Sequence, residues 1–140
     1  MASIIANIRV RRLRKRLTSV TLDVGLQSGA NVNDWDIPDR LEEEVKERDK
    51  ACVYCGVPMV DKMRPSGPGR SVATWEHIIN NRYIINRENI ARCCVACNSS
   101  KGNKDLSVWM QSSYCRQHGI NRGTVAEVVK KALQRERRDT

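Results

Sequence analysis

Apolar residues at helical spacing predict the first clear element of the chain. They recur at intervals of four, at Ile37, Leu41 and Val45. Asp36 is a typical N-cap residue, and Pro38 suits the first helical position. The pattern therefore predicts a helix that runs from this cap to about Asp49, immediately before the first pair of cysteines.

The middle of the chain predicts a loop followed by a strand. Residues 61–70 contain two prolines and two glycines, a composition typical of loops. The apolar residues resume at Val72, and the stretch from there to Trp75 should form a strand. Residues 98–104 are polar, which predicts a turn.

The C-terminal part predicts two more helices. The apolar face of the first consists of Leu106, Trp109, Met110 and Tyr114. His118 and Gly119 should end this helix. The second helix has Thr124 as its expected cap, and its apolar face consists of Val125, Val128, Val129 and Leu133.

The N-terminal residues differ in composition from the rest of the chain. Residues 1–22 contain no acidic side chain and include a basic run from Arg9 to Arg16. Ile4 and Ile8 stand at helical spacing before it, which predicts a basic amphipathic helix or a flexible arm. Mitochondrial presequences share this composition. Residues 20–26 alternate as in a short strand, and a polar linker follows.

A chain of 140 residues has room for one domain with terminal extensions. We expect a basic arm and linker over 1–36, a central domain over 37–120, and a helix with a basic tail over 121–140. Phe is absent, and three Trp and three Tyr provide little aromatic bulk for a core. Something besides aromatic packing must hold the fold together.

The charge of the chain indicates a polyanionic partner. Lys and Arg number 25 against 16 Asp and Glu, a formal charge of +9. A solvated surface of mixed charge is the alternative, but nucleic acid explains so large an excess better. No apolar run reaches membrane-spanning length, and the N-terminus lacks the charge order of a secretory signal. We expect a soluble, intracellular, cytoplasmic protein with no membrane partner.

Four of the six cysteines form two CxxC pairs, Cys52 with Cys55 and Cys94 with Cys97. Two such turns provide the four thiolates of one tetrahedral structural zinc site. Gly56 suits the sharp turn after the first pair. A thioredoxin-like redox pair is the alternative, but two CxxC units without a βαβ pattern argue against it.

Three residues leave alternatives open for metal binding. Cys93 stands beside Cys94 and could replace it as a zinc ligand. Cys115 and His118 have a C-x2-H spacing that suits a second metal site, although a buried thiol and a helix-end histidine are commoner.

The 38 residues between the two pairs contain the candidate chemistry. His77 follows Glu76 directly after the predicted strand. An imidazole can take a proton from water near neutral pH, and a neighbouring carboxylate can hold a divalent cation. Most Glu-His dipeptides are ordinary surface residues, so the neighbouring motifs matter.

Those motifs resemble the zinc-containing HNH endonucleases, in the variant whose third signature residue is Asn. The resemblance covers about residues 51–106 and rests on the following residues: Cys52-x2-Cys55, Glu76-His77-Ile78-Ile79, Asn89-Ile90 and Cys94-x2-Cys97-Asn98-x2-Lys101-Gly102. This family places its knuckle cysteine five residues after the middle Asn, which favours Cys94 over Cys93 as the ligand. Glu76 stands where Asp is usual in the family.

The resemblance implies an α+β fold with a small ββα-metal core, clamped by zinc and flanked by helices. His77 would end the first strand, Asn89 would precede or lie on the second, and Asn98 would open the helix. Glu76 and Asn98 would bind a catalytic divalent ion, Mg2+, Mn2+ or Ni2+. His77 would activate water for attack on a DNA phosphodiester, leaving 5′ phosphate and 3′ hydroxyl ends, and Asn89 would orient it.

Four basic residues are candidates for nucleic-acid contacts, Lys101, Arg82, Arg87 and Arg92, with solvated surface charge as the alternative. A double-strand cut by one active site needs a homodimer or two successive nicks. Two functions compete with a nuclease. One is a non-cleaving zinc-knuckle module that binds DNA or RNA, and the other is a subunit of a restriction or packaging complex that uses zinc only for shape.

Overall fold

The computed structural model describes residues 33–62 and 71–139. The predicted basic helix or arm, the strand pattern at 20–26 and most of the predicted loop at 61–70 lie outside these ranges. The described residues form an α+β fold with a two-stranded sheet and five helices. These elements are α1 (Asp39–Arg48), β1 (Ala73–His77), β2 (Ile90–Cys94), α2 (Val95–Lys101), α3 (Leu106–Trp109), α4 (Ser113–Gln117) and α5 (Glu127–Glu136).

The sheet is an antiparallel pair whose second strand continues directly into a helix. Ala73 pairs with Cys94 at one end, and His77 pairs with Ile90 at the other. The predicted strand is confirmed and extends two residues further, to His77. Helix α2 begins right after Cys94 and ends at Lys101, so the predicted turn over 98–104 is wrong for its first half.

Helix α1 is confirmed, but its predicted cap is wrong. The residue before α1 is Pro38, and no side chain caps the helix there. Asp36 instead has a positive φ of 57°. The side chain of Asn33 organises this turn, since its Oδ1 accepts hydrogen bonds from the backbone amides of Trp35 (2.8 Å) and Ile37 (3.2 Å).

The helix predicted over Leu106 to Tyr114 is two short helices, α3 and α4. Ser112 separates them because its Oγ accepts a hydrogen bond from the backbone amide of Cys115, which starts a new helix. The predicted end is confirmed: His118 is the last half-helical residue, and Gly119 follows with a φ of 64°.

Helix α5 begins at Glu127, two residues later than its predicted cap implies. Thr124 belongs to the preceding turn, where its hydroxyl donates to the carbonyl of Gly119 at 3.0 Å. The predicted apolar face is largely confirmed, because Val125, Val129 and Leu133 are buried.

Two apolar clusters hold these elements. The smaller joins α1 to the sheet through Ile37, Val45 and Ile90. The larger contains the four paired cysteines, Tyr54 and Trp109 together with residues from α5. Tyr54 and Trp109 meet edge to face with ring centroids 4.8 Å apart. No helix in residues 33–62 and 71–139 is long and apolar enough to cross a membrane.

Candidate functional site

The first cysteine pair lies in a tight hairpin that bridges Ala51 to Pro58. The Gly56 amide donates to the carbonyl of Cys52 at 2.9 Å, and Gly56 has a φ of 74°. A residue with a Cβ is strained at that angle, so the glycine lets the chain reverse after the second thiol, as predicted.

The second pair joins the sheet to α2, with Cys94 ending β2 and Cys97 in the helix. The four sulfur atoms of the two pairs all lie within 4.8 Å of one another. Cys55 Sγ and Cys94 Sγ are 3.7 Å apart. A tetrahedral zinc ion with bonds of about 2.3 Å needs sulfur separations of roughly 3.8 Å, so the four thiols fit one ion.

The thiols of this cluster differ in their preferred protonation state. In the protein alone, a hydrogen bond with Cys97 lowers the pKa of Cys52 to about 5, whereas burial raises the pKa of Cys55 to about 11 and favours its protonated form. A bound divalent cation reverses this preference because it stabilises the thiolates. The Tyr114 hydroxyl lies 3.6 Å from Cys97 Sγ and can hydrogen-bond to it.

The remaining cysteines lie apart from this cluster. Cys93 Sγ is 3.6 Å from the Thr74 hydroxyl, and burial raises the pKa of its thiol. Cys115 is buried, whereas His118 is exposed and stacks on Tyr114 with centroids 4.1 Å apart. Among the described residues, neither Cys93 nor the Cys115–His118 pair belongs to a group that could hold a metal ion.

His77 ends β1 and faces a cavity of about 670 Å³. The other lining residues are Asp34, Trp35, Asp36, Arg82, Tyr83 and Ile85. The indole of Trp35 stacks on the imidazole with centroids 5.7 Å apart and an angle of 30°. His77 directly follows Glu76 in this strand, so its side chain points away from the face on which Glu76 is buried.

The His77 imidazole is a free base in this cavity. Its Nε2 is buried and has no hydrogen-bond partner among the residues that the structure describes. Burial lowers the pKa of His77 below its ordinary 6.5, and the positive charge of Lys101 lowers it further. The ring is therefore neutral at neutral pH and can accept a proton.

Asn89 fixes the loop that carries the chain from β1 to β2. Its Oδ1 accepts a hydrogen bond from the Ile79 amide at 2.8 Å. Its Nδ2 donates to the carbonyls of Ile79 (3.2 Å) and Ile84 (3.1 Å). Asn89 is itself buried and lies just before β2. These three bonds hold the backbone immediately after His77.

Glu76 lies in a buried ion pair with Lys101. The Lys101 ammonium is 2.6 Å from Glu76 Oε1, and the two side chains are 0% and 6% exposed. The Tyr54 hydroxyl donates to the same oxygen at 3.0 Å. Burial raises the pKa of Glu76, while the Lys101 charge opposes this rise.

The predicted ligands of a catalytic divalent ion do not fit that ion in this arrangement. Lys101 and Tyr54 already bind one oxygen of Glu76. Asn98 is the fourth residue of α2 rather than its first, and its Nδ2 donates to Thr74 Oγ1 (2.9 Å) and to the Trp75 carbonyl (3.2 Å). An ion at this same oxygen of Glu76 would have to displace an ammonium group.

The four basic residues that were predicted to contact phosphates lie in different surroundings. Lys101 is completely buried, so it does not present its charge to a phosphate. Arg92 contacts Asp61 and lies over the Trp75 ring at 5.7 Å. Arg87 lines a separate cavity beside Arg48, Lys131 and Arg135. Arg82 lines the His77 cavity, and its contact with nucleic acid stays a prediction.

Sequence reasoning missed Trp35, Tyr54 and the partner of Glu76. Trp35 stands in the predicted linker, 42 positions before His77, and no local pattern connects the two. The Tyr54 hydroxyl could have been sought, because a buried tyrosine in a CxxC turn needs a polar partner.

Comparisons with known proteins give little further information. No family model matches the chain, and no curated protein sequence matches it. Among solved structures, the crystal structure of the Type II-C Cas9 enzyme from Actinomyces naeslundii is similar, with a TM-score of 0.43 and 24% sequence identity. The similarity covers 98% of this chain but spans 12% of that chain. A TM-score this low does not establish a common fold.

Proposed function

We propose that this chain is an HNH-type endonuclease that hydrolyses DNA phosphodiester bonds, with His77 as the general base. One observation carries the proposal: His77 lines a cavity, and its Nε2 is buried without a hydrogen-bond partner among the described residues. An unpaired buried nitrogen costs free energy, and such groups are rare outside functional sites. The O–H group of a water molecule would satisfy it.

The arrangement around His77 supports the proposal. The strand that ends at His77, the loop fixed by Asn89 and the helix that contains Asn98 follow one another as in the ββα core that the resemblance implies. The four-cysteine cluster joins the beginning of this unit to its end. A base needs a fixed position relative to its substrate, and these contacts provide it.

In the proposed reaction, His77 Nε2 removes a proton from a water molecule as the water oxygen attacks phosphorus. The bond between phosphorus and the 3′ oxygen breaks, and the departing 3′ oxygen takes a proton from solvent, which leaves a 5′ phosphate and a 3′ hydroxyl. The positive charge of the chain supports DNA as the partner. The family resemblance implies a divalent ion at Glu76 and Asn98. In the described structure, however, the Lys101 ammonium pairs with the Glu76 carboxylate. We derive no step through that ion.

A plasmid assay tests this proposal with a matched control. Supercoiled plasmid is incubated with wild-type protein, His77→Ala or His118→Ala, in Mg2+, Mn2+, Ni2+ or chelator. General-base catalysis contributes about 10²–10⁴-fold, so His77→Ala should cut at least about 100-fold more slowly. His118 is exposed and is the second of two histidines, so its replacement should leave the rate unchanged.

The products distinguish the remaining alternatives. Nicked circles without linear DNA indicate cutting of one strand, whereas direct conversion to linear DNA indicates paired active sites. Equal cutting by wild type and His77→Ala would contradict the role of His77.

A non-cleaving module is the second candidate, and the Glu76–Lys101 pair favours it. A carboxylate that is neutralised by a lysine is poorly available to a metal ion. This reading predicts DNA binding with an intact plasmid under every metal condition. Binding without cutting would therefore replace the nuclease proposal with this one.

A further inference from the structure

Two exposed aromatic side chains lie in the same cavity as His77. Trp35 is 45% exposed and Tyr83 is 79% exposed. The described residues with large, exposed apolar side chains are these two and the valines Val95 and Val108. The chain has only six Trp and Tyr residues in total. Trp35 and Tyr83 both line one cavity of about 670 Å³, a size typical of ligand sites, and their shared position requires an explanation.

Trp35 is held in place by the chain around it. Its backbone amide donates to Asn33 Oδ1 at 2.8 Å, and the Asp36 amide donates to the Asn33 carbonyl at 3.0 Å. Asp36 adopts a left-handed φ of 57°, which is uncommon for a residue with a side chain. Ile37 is fully buried and anchors the turn from the other side. The indole is thus presented in a defined position.

Tyr83 is paired with an arginine at the same cavity. The Arg82 guanidinium lies over the Tyr83 ring at 5.0 Å and donates to its hydroxyl at 2.9 Å. Aromatic rings and a guanidinium plane are the surfaces on which unpaired nucleobases stack. Tyr83 stays largely open to solvent despite this contact, so one side of the pair is available to a ligand.

The charged residues of the cavity suit a base as well as a phosphate. Asp34 and Asp36 line it together with Arg82 and His77. The two carboxylates can accept hydrogen bonds from the amino groups of adenine, cytosine or guanine, and the Arg82 guanidinium can contact a phosphate. An uncharged, flat and hydrogen-bonding ligand satisfies both the aromatic and the acidic residues.

We propose that Trp35 and Tyr83, with Arg82, form a stacking site for an unpaired nucleobase beside His77. This inference rests on the proposed function for its ligand, a nucleic acid, and it narrows the substrate class to strands with at least one unstacked base. A base within a duplex is not available for such stacking, so the site favours single-stranded or distorted DNA or RNA.

Binding of oligonucleotides tests the inference without any need for cleavage. Fluorescence anisotropy is measured with labelled single strands of 12 nucleotides, whose phosphorothioate linkages resist hydrolysis. One strand contains adenine bases, and the other is abasic with the same charge. Stacking of a base on an aromatic residue typically raises the binding affinity about tenfold, so wild type should bind the adenine strand about tenfold or more tightly than the abasic strand.

The variants are Trp35→Ala and Tyr83→Ala, with Val108→Ala as the control. Val108 is 59% exposed and lies on α3, outside the residues that line the cavity. Each aromatic variant should lower the preference for bases several-fold, while Val108→Ala should keep it. DNA and RNA versions of the adenine strand identify which sugar the site accepts, and a matching duplex should bind without dependence on Trp35.

Two results would overturn the inference. One is equal affinity of wild type for the adenine and abasic strands. The other is an equal loss of affinity for both strands in the aromatic variants, which would assign these residues to backbone contacts or to folding. Because cleavage is not measured, a protein that stacks bases yet leaves plasmid intact would refute the proposed function alone.

Discussion

Lys101 and Glu76 form the most deeply buried charged contact of the described residues. Each charge alone would be costly in the interior, and together they neutralise one another at 2.6 Å. Lys101 also lies 3.4 Å from the His77 carbonyl and 3.3 Å from Asn80 Oδ1, so it joins α2 to the end of β1. The pair therefore has a structural role beside any role in metal binding.

Removing the lysine should destabilise the protein strongly. Lys101→Met leaves the Glu76 carboxylate buried without its ammonium partner, and breaking such a pair costs about 3–5 kcal/mol of unfolding free energy. The double variant Lys101→Met with Glu76→Gln removes both charges and should recover much of that loss. Urea denaturation measures the unfolding free energy of the single and the double variant, with Lys104→Met as a control at an exposed position. A double variant as unstable as the single one would contradict the pairing.

The same variant tests competition between Lys101 and a divalent ion. In Lys101→Met the carboxylate is free for Mn2+, and an ion at 100 times its Kd stabilises by about 2.7 kcal/mol. Mn2+ should therefore raise the Tm of Lys101→Met but not that of the double variant or of wild type. An equal rise in wild type would show that the ion binds despite Lys101.

At the scale of elements, the loop between β1 and β2 depends on one amide side chain. Asn89 accepts from the Ile79 amide and donates to two carbonyls, of Ile79 and Ile84. The loop has no regular secondary structure of its own between Ile78 and Asn89. The direction of His77 at the strand end consequently depends on these bonds.

Replacement of Asn89 should loosen this loop. Asn89→Ala leaves the Ile79 amide and two carbonyls without their partner, which we expect to cost about 2–3 kcal/mol. Hydrogen exchange at the Ile79 amide should accelerate, and Asn89→Asp should be intermediate because it keeps the acceptor. Asn103→Ala, at an exposed position, serves as the control. Unchanged exchange at Ile79 in Asn89→Ala would refute this role.

Local patterns predicted much of the fold, and long-range contacts escaped them. The spacing of Ile37, Leu41 and Val45 located α1, because one face of a helix is encoded in neighbouring residues. The caps were less predictable, since Asn33 acts through a turn that needs Asp36 in a left-handed conformation. Ser112 divided a helix whose apolar spacing continued across it.

The cysteine cluster was predictable from the sequence, whereas the contacts of Glu76 and His77 were not. CxxC spacing identified the cysteine cluster correctly, because four thiols need only local turns and one meeting point. Lys101 was expected at the surface, where most lysines lie, and its burial depends on the carboxylate on a neighbouring strand. Trp35 contacts His77 across 42 positions of the chain, which no local pattern encodes.

At the scale of the whole molecule, the four-cysteine cluster lies within the larger apolar core. It connects the hairpin at Cys52 and Cys55 to the junction of β2 and α2. Tyr54 and Trp109 are its fully buried aromatic residues, and an ion bound by the four thiols would add to the cohesion between its halves.

Loss of the zinc ion expected at this cluster should therefore abolish cooperative folding. Structural zinc sites contribute about 10–16 kcal/mol of apparent binding free energy, which is comparable to the total stability of a domain of roughly 5–15 kcal/mol. Wild type should contain one zinc per chain and lose its thermal transition in chelator. Cys97→Ser should retain much less zinc, while Cys93→Ser should keep a full equivalent. Full zinc content in Cys97→Ser would refute the site.

The meeting of the two cysteine pairs has a consequence for how the chain tolerates change in length. Thirty-eight residues lie between Cys55 and Cys94, yet the two sulfur atoms are 3.7 Å apart, so the intervening chain forms a closed loop. The entropy of closing a flexible loop grows only logarithmically with its length, and doubling it costs roughly 0.6 kcal/mol. Segments inserted at exposed Lys62 would enlarge the loop at little cost and leave its closure point in place.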